Sequence, residues 1–171
     1  ATPSDVNTAV NNIQIGGRNL ITNSDNGFLN GMHIYPSMQY PVLNEGWYRL
    51  NLSSQLQGDE EVLCDNIVTI TKSGWITESV YIKTDGELQS CDISFYDNNT
   101  GHHRIKAKIE YFGGNTYRVS ASYDNPYTYS LRVIDLYINT NNATYIAFRY
   151  PQLEIGNKAT DWTPAPEDVD A

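Results

Sequence analysis

Positive charge is scarce in this chain. Eleven Lys and Arg stand against twenty Asp and Glu, leaving a net charge of −9 over 171 residues. Nucleic acids and anionic membrane surfaces are held by basic patches, so neither is expected as a partner. No apolar run approaches the roughly 20 residues that cross a bilayer, and no membrane insertion is expected. Cysteine is nearly absent. Cys64 and Cys91 cannot make a disulfide framework, and both fall in strand-like text, which leaves open a single pair or two buried thiols. Histidine is limited to His33, His102 and His103. The last two lie in "DNNTGHHR", which reads as a solvated hairpin tip without metal-ligand spacing. Phosphate-binding loops, zinc-protease helices, paired-cysteine motifs and nucleophile elbows are all missing, so the chain reads as a non-enzyme. Asp59, Glu60 and Glu61 read as a solvated acidic loop. A glycosidase carboxylate pair has no fixed sequence spacing, and composition alone leaves that chemistry open.

What fills the chain instead is neutral and polar, with an aromatic share of 12% led by 13 tyrosines. Charged residues make up only 18%, below the usual quarter or so. Such a surface suits hydrogen bonding to uncharged polar ligands, and equally suits an ordinary β-sandwich. From residue 19 to about 153 the hydrophobic pattern has a period of two. In "WYRLNLS", Tyr48, Leu50 and Leu52 alternate with Trp47, Arg49, Asn51 and Ser53. In "WITESVYIK", Ile76, Val80 and Ile82 share one face, with Trp75, Thr77, Ser79, Tyr81 and Lys83 opposite. "CDISFY" sets Cys91, Ile93 and Phe95 against Asp92, Ser94 and Tyr96. "RIKAKIEY" reads as one strand with Ile105, Ala107, Ile109 and Tyr111 on one side. "TYRVSASY" alternates likewise. "YSLRVIDLYI" changes parity near Ile134, which predicts a bulge, and Pro151 predicts an edge or a bulge in the last strand. Eight or more short strands with Asn, Asp and Gly turns predict an all-β fold, an antiparallel sandwich or jelly roll.

The two ends differ from this body. In "PSDVNTAVNNIQI", Val6, Ala9, Val10 and Ile13 follow the spacing of one helical stripe, so residues 1–16 are expected to be the end of a helical linker or stalk. Residues 17–163 are expected to form the sandwich module. Trp162 is a large apolar group beyond the last strand and is expected to fold back and plug one end of it. Pro164 and Pro166 enforce extended backbone, and "PEDVD" has the composition of a helix's first turn, so 164–171 reads as a link into a following helix.

The borders carry a resemblance. "IGGRNLITNSDNG" and "LEIGNKATDWTPAPED" resemble the borders of a carbohydrate-binding-module-like jelly-roll domain found in bacteriophage tail and minor structural proteins of Gram-positive hosts. The opening border matches at Gly17-Arg18-Asn19-Leu20. The closing border matches at Leu153-Glu154, Gly156, Ala159-Thr160-Asp161-Trp162 and Pro164-Ala165-Pro166-Glu167-Asp168. The two cover about a fifth of the chain, and Ile155 and Pro151 depart from the usual pattern. The resemblance implies a module in the virion, at a phage tail tip or fibre, that touches host cell-wall polysaccharide at the bacterial surface alongside other tail or fibre subunits. Jelly-roll sugar modules of this type often carry a structural calcium, for which Asp25, Glu154 or Asp161 offer oxygens, with no committed ligand set.

Saccharide binding needs flat aromatic faces for the C–H side of a pyranose and polar groups for its hydroxyls. The outward faces of the strands supply Trp75 and Tyr81, Tyr96 with Asp92, and Trp47 beside Arg49, on one concave sheet if these strands are neighbours. A rival location is a sandwich end built from the loops carrying Met32, Tyr35, Met38 and Tyr40, or Tyr123, Tyr127 and Tyr129. The reading drawn from the sequence is a non-catalytic carbohydrate-binding module. The alternatives are a ligand-free structural spacer and, further off, a wall-degrading glycosidase.

Overall fold

The computed structural model describes residues 18–169, apart from 23, 26, 127, 129 and 133 and the side chain of 130. The helix expected before residue 17 lies outside the described residues, as do Tyr127 and Tyr129. The rest is a sandwich of two antiparallel sheets. The first sheet holds seven strands: β1 (His33–Tyr35), β4 (Gln57–Leu63), β5 (Ile67–Thr69), β7 (Glu87–Asp97), β8 (Gly101–Lys106), β11 (Ser130–Arg132) and β12 (Asp135–Asn141). The second holds six: β2 (Val42–Asn44), β3 (Trp47–Asn51), β6 (Gly74–Thr84), β9 (Lys108–Gly113), β10 (Thr116–Asn125) and β13 (Tyr145–Ile155). Helix is minimal: a four-residue 3-10 turn (Phe28–Gly31) and α1 (Pro166–Val169).

Alternation decides what each sheet buries. Ile76, Val80 and Ile82 of β6, Val119 of β10, and Ile146 and Phe148 of β13 meet Cys91, Ile93 and Phe95 of β7 and Leu136 and Ile138 of β12 in one continuous core. Each large apolar side chain fully removed from water there contributes about 1.5–3 kcal/mol before entropy is counted. Cys64 and Cys91 are both buried and unpaired. Gly86 in the β6–β7 turn is required by close approach, since a Cβ there would lie 2.3 Å from the carbonyl oxygen of Asn141.

Two local expectations change, and a third resolves to one of its alternatives. "RIKAKIEY" is two strands, not one: β8 pairs with β7 in the first sheet, and β9 pairs with β10 in the second. The chain crosses the sandwich edge at Ala107. Parity survives the crossing because both inner faces look into the same core, so Ile105, Ala107 and Ile109 all pack inward while Tyr111 ends up exposed. The parity change near Ile134 is a break between β11 and β12, with Ile134 at φ 63°. A β-branched residue rarely takes this left-handed backbone. Pro151 marks a bulge in a central strand, not an edge: β13 lies between β3 and β6, its register with β6 slips between Arg149 and Gln152, and Tyr150 has φ 54°.

The two border segments meet on the flank of the second sheet. Asn19 is fully buried and knits them together: its Nδ2 donates to the carbonyls of Pro151 (3.3 Å) and Thr163 (2.9 Å) and to Ser24 Oγ (3.1 Å). Its Oδ1 accepts from the backbone N–H of Ile21 (3.0 Å) and Leu153 (3.3 Å). Arg18 pairs with Glu167. Trp162 stacks on Tyr150 (4.2 Å between centroids, 19° between planes) and donates from Nε1 to Ser24 Oγ at 3.2 Å. It therefore lies against the last strand and the opening segment instead of plugging a sandwich end. The bulge at Tyr150 turns that ring outward to receive it.

Candidate functional site

The outer face of the first sheet carries a cross-strand grid of polar and aromatic side chains. Register places Glu61 of β4 opposite Tyr137 of β12, Tyr137 opposite Asp92 of β7, and Asp92 opposite Lys106 of β8. A second row runs from Arg132 of β11 through Tyr96 of β7 to His102 of β8. Opposed residues point to the same side of a sheet, so these groups are gathered by strand pairing and not by nearness in sequence.

They pack as ring and cation layers. The Tyr96 and His102 rings lie 4.5 Å apart, and His102 meets Tyr137 edge-on at 5.9 Å. The Arg132 guanidinium sits 4.3 Å from the Tyr96 centroid, and that of Arg104 sits 3.8 Å from the Tyr137 centroid. Arg104 also donates to Asp92 Oδ2 at 2.9 Å. β1 and the turn that follows it raise a wall beside this floor. Together they enclose an open groove of about 400 Å³ lined by Tyr35, Met38, Glu61, Tyr96, His102 and Arg132, among others. A smaller recess of about 170 Å³ shares Asp65, Tyr96 and Arg132 with it. The combined volume falls in the range of small-ligand sites. Tyr35 is 54% exposed, the most accessible aromatic ring lining the groove.

Beneath the groove lies an acid cluster. Asp135 is 0% exposed, and neither carboxylate oxygen has a hydrogen-bond partner among the described residues; the same holds for Glu61 Oε2. Around them stand Arg132 Nη1, 3.5 Å from Asp135 and 3.7 Å from Glu61, and His102, with Nδ1 3.5 Å from Asp135 and Nε2 3.9 Å from Glu61. Burial, then the facing Glu61 carboxyl, pushes Asp135 well above the ordinary carboxylate range, with Arg132 pulling the other way. A proton on Asp135 relieves the repulsion and gives that carboxyl a donor of its own. Burial and these acids lift the Tyr137 phenol to about 12. Glu61, His102 and Asp135 bring potential metal-ligand atoms within 4.8 Å of one another. Arg132 already supplies positive charge to both carboxylates, and His102 Nδ1 is hydrogen-bonded to Ser94 Oγ at 2.8 Å. The arrangement thus favours neutralisation by a proton and an arginine over a metal ion.

The six residues singled out from sequence do not share one sheet. Tyr96 and Asp92 lie on β7 in the first sheet and belong to the grid. Trp47, Arg49, Trp75 and Tyr81 lie on β3 and β6 in the second sheet. There Trp47 is 8% exposed, beneath the guanidinium of Arg149 at 4.1 Å. Arg49 stacks on Tyr145 at 4.0 Å. Tyr81 packs among Phe112, Tyr150 and Arg118. Trp75 is 48% exposed at the start of β6, isolated from the other three candidates by the strand's length. A pocket of about 80 Å³ beside Trp47, Arg49 and Tyr145 is too small for a sugar ring with its water shell. Much of the remaining outer face is covered by the C-terminal segment, to which Arg118 and Gln152 hydrogen-bond at Thr160.

Two readings from sequence are corrected by this placement. His102 and His103 are not a solvated tip: β8 begins at Gly101, His102 enters the grid, and His103 stacks on Tyr123 at 5.1 Å. Asp59, Glu60 and Glu61 are not a loop but part of β4, and Glu61 reaches the site. Tyr35 and Met38, from the loop weighed as a rival location, form a wall of the groove. Arg104, Arg132, Tyr137 and Asp135 escaped notice; their outward parity on β8, β11 and β12 was the available signal. Of the oxygens considered for calcium, those of Glu154 are taken by Gln152 Nε2 (2.7 Å) and by the Thr160 hydroxyl and N–H (2.7 and 3.2 Å).

No family model matches the chain, and no curated protein matches it. Among solved structures it is similar to the CBM22-1–GH10 modules of Clostridium thermocellum xylanase 10B complexed with xylohexaose, at 16% identity over 87% of this chain and 30% of that one, with a TM-score of 0.55. It also matches the tripod from the baseplate of bacteriophage Tuc2009 (13% identity, 90% of this chain, 60% of that one, TM-score 0.48). A family 29 carbohydrate-binding module matches at 12% identity over 87% of this chain and 98% of that one, with a TM-score of 0.46. The chain thus spans less than two thirds of the first two structures. The likeness to the xylanase modules is one of fold.

Proposed function

We propose that this chain is a non-catalytic carbohydrate-binding module of a phage tail or fibre protein, that it adheres to host cell-wall saccharide, and that the groove on the first sheet is where the sugar sits. The border motifs support the phage assignment, and the sandwich fold is the one that such modules share. One observation carries the site: a row of rings and guanidinium planes, Arg132–Tyr96–His102, floors a 400 Å³ groove with an exposed Tyr35 at its wall. Flat apolar planes edged by N–H and carboxylate groups suit a pyranose, whose C–H face stacks while its hydroxyls bond at the rim. Residues 17–163 act as the module, with its two ends tied together through Asn19. Glu61 and Asp135 converge, yet Asp135 is sealed from solvent and holds its proton below the groove floor, which suits a structural acid better than a glycosidase's. Single sugar sites are weak, and repetition on an oligomeric tail supplies avidity.

The test is binding to purified cell walls and to a glycan array, with Tyr35→Ala and Tyr96→Ala as site variants and Trp47→Ala and Trp75→Ala as controls on the opposite sheet. Each site variant is expected to weaken binding about tenfold or more, as hot-spot aromatics do. The Trp75 control should bind like the unaltered chain. Loss confined to the Trp47 and Trp75 variants would move the site to the second sheet. Binding unaffected by all four, or absent from every wall and glycan, would favour a ligand-free spacer.

A further inference from the structure

A cavity of about 460 Å³ shares no lining residue with the groove. It opens where the chain crosses from β8 to β9. Lys106 ends one strand, Lys108 starts the next, and Lys158 approaches from the C-terminal segment. Thr77 of β6 and Ser120 and Ser122 of β10 complete the lining that matters here. Three of the chain's five lysines therefore face one cavity, in a protein of net charge −9. Among the described residues a single carboxylate lines it, Glu110, whose Oε1 lies 3.5 Å from Lys108 Nζ. Lys106 and Lys158 have no ion-pair partner among the described residues. The hydroxyls sort in the same direction. Thr77 donates to the carbonyl of Gly156 at 2.8 Å and Ser122 to that of Asn157 at 3.0 Å, which occupies two acceptors beside the cavity. The half-buried Ser120 hydroxyl has no hydrogen-bond partner among the described residues.

Like charges gathered beside the free Ser120 hydroxyl repel one another unless an anion sits between them. We propose that this cavity is a second binding site, for an oxyanion, phosphate or carboxylate. The inference goes beyond the saccharide groove: the cavity opens at the edge where the chain leaves the first sheet, and Lys106, at the end of the grid's first row, borders both the grid and the cavity. No arginine among the described residues lines the cavity, so its ammonium groups act as point charges without a planar fork to grip an oxyanion bidentately. The site therefore selects charge and a hydroxyl acceptor more than shape, and its affinity must fall with salt.

The experiment is a titration of the full chain with sodium polyphosphate, with polygalacturonate of matched charge and with neutral dextran. It is followed by calorimetry and by amide NMR shifts of Ser120, Ser122 and Lys158. Both polyanions, or one of them, should bind at 20 mM salt, and dextran should not shift these amides. Binding should weaken about tenfold on going to 300 mM salt. A preference for polyphosphate identifies the phosphate source, and a preference for polygalacturonate the carboxylate. The Lys106→Gln/Lys158→Gln double variant alters only exposed side chains and should keep its melting temperature while losing about tenfold in affinity. Tyr96→Ala should leave polyanion affinity unchanged. No polyanion binding at low salt, binding indifferent to the double substitution, or binding lost with Tyr96 would each overturn the proposal.

Discussion

A carboxyl group in the core gives the sharpest test of how this sandwich holds together. Glu78 lies on the inward side of β6, between Ile76 and Val80, and is 1% exposed. Its Oε1 accepts the backbone N–H of Ile134 at 2.5 Å, the residue in left-handed backbone that turns the chain into β12 and places Asp135 under the groove. Burial carries the Glu78 pKa from 4.5 to about 8, with the Ile134 hydrogen bond pulling modestly the other way. The folded chain thus holds this proton more tightly than the unfolded one. Its contribution is whole below about pH 4.5 and is lost as pH climbs toward 8. At about 1.36 kcal/mol per pH unit, the loss between pH 5 and pH 8 is roughly 3 kcal/mol. That is a large share of the 5–15 kcal/mol typical of a domain. Glu78→Gln keeps the acceptor and the shape but cannot ionise. Urea unfolding at pH 5, 6, 7 and 8 should show the variant close to the unaltered chain at pH 5 and more stable by roughly 3 kcal/mol at pH 8. Asp135, also pushed up, adds a slope of the same sign in both proteins; Glu78 contributes the last part of that rise, so the gap between the two curves reports Glu78 together with its coupling to Asp135. Glu78→Leu should be destabilised even at pH 5, by about 1–3 kcal/mol, because the Ile134 N–H loses its acceptor. Parallel curves for the unaltered chain and Glu78→Gln across this range would refute the reasoning.

Asn19→Ala removes five hydrogen bonds that tie the two borders together and strands buried groups on both; a loss of roughly 2–4 kcal/mol is expected in urea unfolding. Cys91 is buried, and burial first, then Asp92 and Glu78, raises its thiol pKa, while Cys64 is raised mainly by burial. Neither should react with iodoacetamide at pH 8 in the folded protein, both should react in 6 M guanidinium, and the chain should melt identically with and without reductant. Arg132→Met leaves Glu61 and Asp135 facing each other without a cation; a loss of about 1–3 kcal/mol is expected at pH 9 and a smaller one at pH 5, where Asp135 holds its proton, measured by thermal melts at both values.

The strand faces were legible because a sandwich core imposes a period of two on every strand that borders it. Tyr48 and Leu50, Ile76, Val80 and Ile82, Cys91, Ile93 and Phe95, and Val119 and Ala121 all point inward as their alternation requires. The same rule sets Glu78 between Ile76 and Val80 on the inward side. The period placed that acid in the core, and only the expectation that charges face water argued otherwise. The border motifs were legible for a different reason. Arg18, Asn19, Glu154, Thr160, Trp162 and Glu167 are tied to one another or to their immediate neighbours on one flank, so a fixed geometry constrains both ends of the chain together.

Which strands share a sheet was not legible, and the site depended on it. Parity reports which way a side chain points relative to its own strand; it carries no information about the strand next door. β6 and β7 are joined by a tight turn and both present outward aromatics, yet they belong to opposite sheets, so Trp75 and Tyr81 face away from Tyr96 and Asp92. The crossing at Ala107 is silent for the same reason, because a strand that leaves one sheet for the other keeps its inward side inward. The grid on the first sheet joins Glu61, Asp92, His102, Arg132 and Tyr137, residues up to 76 positions apart, through pairings fixed by register. A one-residue slip in any of those ladders would turn its side chains to the other face. The site is thus a property of register, which arises only when the sheet assembles, and the buried Glu78–Ile134 contact, which sets where β12 begins, is one of the constraints that fix it.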